Sequence, residues 1–179
     1  MWGAVNALRA APVIAMGRLK KVLKWAAVVV ALLFLGAQLY RPDRTNPPVD
    51  ARKAMWVNTQ MTPEVEATLR RSCGDCHSSE TTWPWYSNVS PVSWFLKSHV
   101  DEGRRELNFS DWATYAKRKR ERKLHEMCEQ VEQGEMPLKS YLPLHPSARL
   151  SEDDKKLICA WTGQEEQRQP EELPAQAAR

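Results

Sequence analysis

Cys73, Cys76 and His77 form the run CGDCH, in which two thiols stand three residues apart and an imidazole follows directly. On one helical turn the two thiols face the same side, so both can add to the two vinyl groups along one edge of a porphyrin. The imidazole that follows can then bind the iron. The run therefore predicts one covalently attached haem c, with Cys73 and Cys76 as attachment residues and His77 as the proximal iron ligand.

Two other chemistries use a CxxC pair. A zinc site needs a second ligand pair at similar spacing, but Cys128 and Cys159 stand far apart in the sequence. A thioredoxin-like redox pair needs a strand before it, whereas the segment before Cys73 has a helical pattern. Neither Cys128 nor Cys159 begins a second CxxCH run, so we expect one haem per chain. These two residues form either a disulfide or two buried thiols, and both alternatives stay open.

The sixth iron ligand must come from residues downstream of His77. The candidates are His99, His125, His145, Met127 and Met136. Met136 stands between Gly134 and Pro137 in a predicted loop that can cross the open face of the haem, whereas Met127 lies on a periodic apolar face. We therefore predict Met136 as the second axial ligand, with His99 as the strongest alternative and an open position as the third. A thioether ligand would raise the reduction potential.

The segment before this motif predicts export and anchoring. Residues 25–40 contain no charge, and Arg9, Arg18, Lys20, Lys21 and Lys24 precede or flank them without any acidic residue. A basic segment followed by an apolar one is typical of a signal anchor, and the positive-inside rule leaves the basic side in the cytoplasm. A cleaved signal peptide begins in the same way and is the alternative.

These signals divide the chain into five parts. Residues 1–21 are a predicted cytoplasmic segment, 22–40 a transmembrane signal anchor, 41–54 a proline-rich linker, 55–163 an all-α haem-binding domain and 164–179 a disordered tail. Within the domain, helices are predicted from Pro63 with Thr62 as N-cap, over residues 93–106, over 111–133 with Ser110 as cap, and from Ser151 with a capping box. Met136 to Pro146 is predicted as an irregular loop.

Charge excludes one class of partner. The net charge is +4, but outside residues 1–40 the remaining 21 basic residues face 22 acidic ones, so no persistent basic face is available for nucleic acid. The run KRKRERK, residues 117–123, has two interpretations: a solvated helix face, or a docking patch for an acidic partner or anionic lipid. Trp83, Trp85 and Tyr86 are predicted to line the haem pocket, with a partner surface as the alternative.

The run CGDCHSSETTWPWYSNVSPVSWFLKSHVDEGRRELNFSDW, followed by GEMP and Tyr141, resembles the bacterial haem-binding domain family of cytochrome c type over residues 50–163. The resemblance implies a membrane-anchored domain facing the periplasm, with one haem c held by Cys73, Cys76 and His77 and with Met136 as the GEMP methionine. It assigns no firm catalytic activity. The element order also resembles class I cytochromes c, which implies that Trp161 packs near the haem edge. The insertion that carries KRKRERK is unlike a minimal cytochrome c.

The preferred function is electron transfer by a domain tethered to the bacterial inner membrane near an unidentified redox protein. A six-coordinate haem needs no substrate pocket, so we expect an electron carrier rather than an enzyme. The alternatives are a peroxidase or a gas or redox sensor with an open sixth position, and a scaffold module in which haem is structural.

Overall fold

The computed structural model describes residues 11–171, with side chains from residue 16 onward. Residues 1–10 and 172–179, parts of the predicted N-terminal segment and tail, lie outside the described residues. Seven α-helices occur in the described range, and no strand does, so the predicted all-α class is confirmed there. Their bounds are α1 Ala11–Ala37, α2 Met55–Asn58, α3 Pro63–Ser72, α4 Gly74–His77, α5 Val92–Glu106, α6 Lys117–Glu132 and α7 Glu152–Arg168.

The chain divides into two compact units. The first unit contains α1 with the residues up to Pro42 and the segment Trp85–Trp94, and the second contains Asp43–Pro84 and the chain from Phe95 onward. In the first unit, the side chain of Gln38 bonds to both backbone groups of Ser90, at 2.9 and 3.0 Å. The indole of Trp94 donates to the carbonyl of Tyr40 at 2.9 Å. These bonds fasten the chain after α1 to the segment Trp85–Trp94.

The predicted transmembrane helix at residues 22–40 is not supported. Among the described residues, no helix has the length and apolar character needed to cross a membrane. The reason is that Lys20, Lys21 and Lys24 lie within α1, and the helix ends at Ala37, so only Trp25 to Ala37 is uncharged helix. A spanning helix needs about 20 apolar residues.

The second unit has a hydrophobic core between α3, α6, α7 and the 3-10 helix Phe109–Thr114. Its fully buried members include Leu69, Trp112, Leu124 and Ile158. A disulfide between Cys128 on α6 and Cys159 on α7 joins these two helices, with the Cα atoms 4.8 Å apart. This resolves the choice between a disulfide and free thiols in favour of the disulfide.

Two predicted helix starts agree with the structure. Thr62 accepts a hydrogen bond from Val65 N at the start of α3, with Pro63 in the first turn. Ser151 and Asp154 form a reciprocal capping box at the start of α7. The helix predicted over 93–106 corresponds to α5.

Three predicted boundaries differ from the structure. α6 begins at Lys117 rather than at residue 111, because Tyr115 and Ala116 are extended and Asn108, not Ser110, caps the preceding 3-10 helix. α7 continues through Arg168, so residues 164–168 are helical rather than disordered. Residues 43–54, predicted as linker, belong to the second unit and include the 3-10 helix Ala51–Lys53.

Candidate functional site

The predicted site residues line a cavity of about 450 Å³ in the second unit. Cys73, Cys76, His77 and Met136 all line it, although 59 positions separate His77 from Met136 in the sequence. Its apolar surface comes from α6, the region after α5 and the loop after α6: Leu107, Phe109, Met127, Val131, Pro137 and Leu138. A cavity of this size, largely apolar and with a few convergent polar groups, suits a planar hydrophobic ligand.

The His77 imidazole is oriented by the end of α5. Its Nδ1 lies 3.0 Å from the carbonyl oxygen of Leu107, so Nδ1 must carry the hydrogen and donate it. Nε2 is then the unprotonated nitrogen, which is the form that binds a metal. Burial lowers the pKa of His77, the largest cause, although the hydrogen bond to Leu107 acts in the opposite direction. The imidazole therefore stays neutral at physiological pH.

Cys73 is the N-cap residue of the short helix α4, and Cys76 lies within that helix. Neither Cys73 nor Cys76 is in a disulfide. Burial raises the pKa of Cys73 to about 12 and that of Cys76 to about 11. Both groups are therefore S–H rather than thiolate at neutral pH.

Arg104 on α5 fixes the chain that follows the motif. Its guanidinium donates to the carbonyl of Ser78, to Thr81 Oγ1 and to Asn46 Oδ1, each at 2.8 Å. Thr81 Oγ1 in turn donates to the carbonyl of Asp75 at 2.6 Å. The sequence did not predict this hydrogen-bonded group around Arg104, because Arg104 stands in an ordinary helical charge pattern and Asn46 lies in the predicted linker.

Gly103 allows α5 to approach the attachment segment closely. A Cβ atom at this position would lie 2.7 Å from the carbonyl oxygen of Cys76 and 3.2 Å from its Cβ. Real Cβ atoms do not approach backbone oxygens so closely. The absence of a side chain is therefore what lets α5 contact Cys76.

Among the other candidate iron ligands, His99 and Met127 also line the cavity, whereas His125 and His145 do not. His99 bonds through Nδ1 to the carbonyl of Phe95 at 2.8 Å. Met127 is buried and belongs to the hydrophobic core cluster as well. Met136 lies in the loop after α6, where its backbone N–H bonds to the carbonyl of Gln130 at 3.1 Å.

Residues 117–123 form neither a uniformly solvated helix face nor a continuous patch of exposed cations, because Arg120 and Lys123 are buried. Arg120 is fully buried and donates to Tyr115, Gln169 and Pro170. Lys123 is buried in the cavity wall. Its ammonium lies 2.6 Å from the carboxylate of Glu126 and 3.4 Å from that of Glu106.

Of the predicted pocket aromatics, Trp83 lies in the second unit and does not line the cavity. Trp85 and Tyr86 belong to the first unit, and Trp85 is 78% exposed. Trp161 is buried in the core and donates to the carbonyl of Gln60 at 2.9 Å, and it does not line the cavity either. Phe109 and Tyr141 do line the cavity, and the ring centroid of Phe109 lies 5.9 Å from that of His77.

Comparison with known families decides the class of ligand. A family described as a haem-binding domain matches residues 32–164, about three quarters of the chain. The chain belongs to the haem-binding domain family. No curated protein and no solved structure matches it.

The residues of this haem-binding domain fit the group that its family name specifies. The cavity wall supplies a neutral imidazole, two protonated thiols and thioether sulfur atoms from Met127 and Met136. Nitrogen and sulfur are the protein ligands that haem iron uses, and the apolar wall matches the faces of a porphyrin. This cavity therefore offers a donor set suited to haem.

Proposed function

We propose that this haem-binding domain is a c-type electron carrier with one haem per chain. The observation on which the proposal rests is that Cys73, Cys76, His77 and Met136 share one largely apolar cavity. Each thiol would be joined to the haem by addition of its S–H across one vinyl double bond, which needs no leaving group and no oxidant. His77 and Met136 would hold the iron, and the bound group would supply reversible one-electron chemistry.

The state of the imidazole supports this assignment. The hydrogen bond to Leu107 keeps His77 in the tautomer that offers Nε2. A preset tautomer lowers the cost of orienting the ligand and favours iron binding. The largely apolar wall suits an electron carrier that has no substrate.

We also propose that the domain works outside the cytoplasm, close to a membrane and to a redox protein partner. The disulfide between Cys128 and Cys159 favours an oxidising compartment such as the periplasm. Many apolar side chains of α1 are exposed, among them Leu32, Leu33 and Phe34, and basic residues precede them. Such a surface is typical of lipid or protein contact, and cations are attracted to anionic headgroups.

The axial ligand is tested by the ferric optical spectrum of the holoprotein. We expect the weak long-wavelength band of methionine-ligated haem in the wild type, its loss in Met136→Ala and its retention in Met127→Leu. The second variant is a matched control because Met127 lines the same cavity on α6, and leucine nearly conserves its volume. A wild-type spectrum that Met136→Ala leaves unchanged would show that Met136 is not the ligand.

A second candidate is an open sixth position for peroxidase or sensor chemistry. It is favoured by His99, Glu102 and Glu106, which contribute polar groups to the cavity wall. Carbon monoxide distinguishes the two functions, because it binds a ferrous iron with a vacant position rapidly and a six-coordinate iron slowly. Rapid binding by the wild type would favour the open-site function over electron transfer.

A further inference from the structure

One side-chain hydrogen bond joins the attachment segment to the loop that contains Met136. The hydroxyl of Tyr141 donates to the Oδ2 atom of Asp75 at 2.8 Å. Asp75 stands between Cys73 and Cys76, and Tyr141 stands five residues after Met136. Both side chains line the cavity, so this bond links two of its walls.

The Asp75 end of this bond is held in place by its neighbours. Its Oδ1 atom accepts a hydrogen bond from Thr82 N at 3.0 Å, and its carbonyl accepts one from Thr81 Oγ1 at 2.6 Å. Arg104 holds Thr81 Oγ1 from α5. The carboxylate that receives the Tyr141 hydroxyl therefore has a fixed orientation.

The loop is fixed at both of its ends. At its start, the N–H groups of Glu135 and Met136 bond to the carbonyl of Gln130 at the end of α6. At the other end, the Tyr141 ring stacks on His145, with centroids 3.8 Å apart and planes 9° apart. At this same end, the Tyr141 hydroxyl bonds to Asp75 and ties the loop to the attachment segment.

We propose that Tyr141 is a positioning residue that holds the Met136 loop closed over the haem site through Asp75. The proposal rests on the assignment of Met136 as axial ligand under the proposed function. Tyr141 would act through Asp75 and not as an iron ligand. Its hydrogen bond lowers the free energy of the closed loop relative to a loop that has swung away, and so keeps the thioether on the iron.

The test compares Tyr141→Phe with wild type as ferric and ferrous holoprotein. The phenylalanine keeps the ring that stacks on His145 and removes only the hydroxyl. We expect one haem per chain as before, a weaker methionine band in the ferric state, and carbon monoxide binding to the ferrous state that is about ten to a hundred times faster. That range is the effect expected for one hydrogen bond to a charged group.

Thr114→Val is the control. Its hydroxyl donates a hydrogen bond to the carbonyl of Asp111 at 2.6 Å, but Thr114 does not line the cavity. We expect this control to bind carbon monoxide at the wild-type rate. If Thr114→Val accelerates binding as much as Tyr141→Phe does, or if Tyr141→Phe leaves both the band and the rate unchanged, the positioning role is wrong.

A double-mutant cycle tests the partner. Asp75→Ala should accelerate carbon monoxide binding, and adding Tyr141→Phe should accelerate it no further, because both changes remove the same bond. Additive effects would overturn the pairing. A wild type that lacks the methionine band and binds carbon monoxide as fast as Met136→Ala would contradict the proposed function and the positioning role together, whereas a failure confined to the variants contradicts the positioning role alone.

Discussion

At the scale of single residues, the site depends on how closely α5 approaches Cys76. The carbonyl of Leu107 orients His77, the guanidinium of Arg104 holds the chain after the motif, and Gly103 contacts Cys76 directly. All three belong to α5 or to the residue that follows it. The attachment motif is therefore shaped by a segment about thirty residues further along the chain.

Gly103→Ala tests this close approach. The added methyl group would meet the Cys76 backbone at 2.7 Å, so α5 must move away from the attachment segment. We expect a loss of about 1–3 kcal/mol in the free energy of unfolding, as for other overpacked sites, together with a lower yield of attached haem. Urea unfolding and the ratio of haem to protein measure the two effects.

Gly163→Ala is the control, because Gly163 also lies within a helix but has nothing within 4 Å of the position of an added Cβ. Alanine there should stabilise the fold by up to about 1 kcal/mol, since it favours the helix over glycine. Equal effects of the two substitutions would contradict a specific clash at Gly103.

Much of the site was predictable at this scale, because spacing alone identifies Cys73, Cys76 and His77 as a group. The structure adds that these residues and Met136 share a cavity. Lys123 could not be placed from sequence, because a lysine in a basic run is usually solvated. Its burial follows from the tertiary position of α6, which turns this one member of the run toward Glu106.

At the scale of elements, contacts made by the first turn of α7 fix where this helix begins and join it to α3. Asp154 accepts from Ser151 N at 2.8 Å, and its carboxylate also lies 3.2 Å from the guanidinium of Arg71 on α3. The backbone hydrogen bond from Ser151 is the largest cause that lowers the pKa of Asp154. One side chain thus caps α7 and ties it to α3, the helix that precedes the attachment motif.

Asp154→Ala should reduce the free energy of unfolding by about 1 kcal/mol at pH 7, as for other lost caps. A carboxyl with a lowered folded pKa stabilises the fold above its unfolded pKa, about 3.9, and this contribution is lost as pH falls through the folded pKa. The difference from wild type should therefore shrink below about pH 4, as measured by urea unfolding across a pH series. Asp153→Ala is the control and should have little effect, because the Asp153 side chain is 94% exposed and, among the described residues, is paired with the exposed Lys156.

The disulfide between α6 and α7 is the second feature at this scale. It closes a loop of 31 residues, and the chain-entropy relation gives about 3–4 kcal/mol of stabilisation for such a loop. The Cys128→Ala/Cys159→Ala double variant should be destabilised by about that amount in urea. A thiol reductant should lower wild-type stability toward that of the variant and leave the variant unchanged, and an equal effect on both proteins would contradict the stabilising role.

Helix existence was easier to predict than helix bounds. The signals at Thr62 and Ser151 are local, since each side chain caps its own first turn, and both predictions agree with the structure. The start of α6 was missed because its N-cap, Ala116, makes no side-chain hydrogen bond. The preceding residues form a separate 3-10 helix instead, in which Phe109 and Trp112 are buried.

At the scale of the whole molecule, the proposed tether depends on the exposed side chains of α1. Leu32→Lys/Leu33→Lys should reduce binding of the full chain to vesicles of anionic phospholipid at least tenfold, because two leucines lose their burial in lipid. Flotation on a density gradient measures the bound fraction. Leu144→Lys is the control, since Leu144 is an exposed leucine of the second unit. A wild-type chain that does not float with the vesicles would contradict the tether.

Covalent attachment of haem at Cys73 and Cys76 is the central claim, and the intact mass of the unfolded holoprotein tests it most directly. After expression with haem-maturation machinery and denaturation, the wild type should retain the added mass of one haem. Cys128→Ala/Cys159→Ala should retain it as well, and Cys73→Ala/Cys76→Ala should lack it. A wild-type chain without that mass, or the same added mass in Cys73→Ala/Cys76→Ala, would contradict the account.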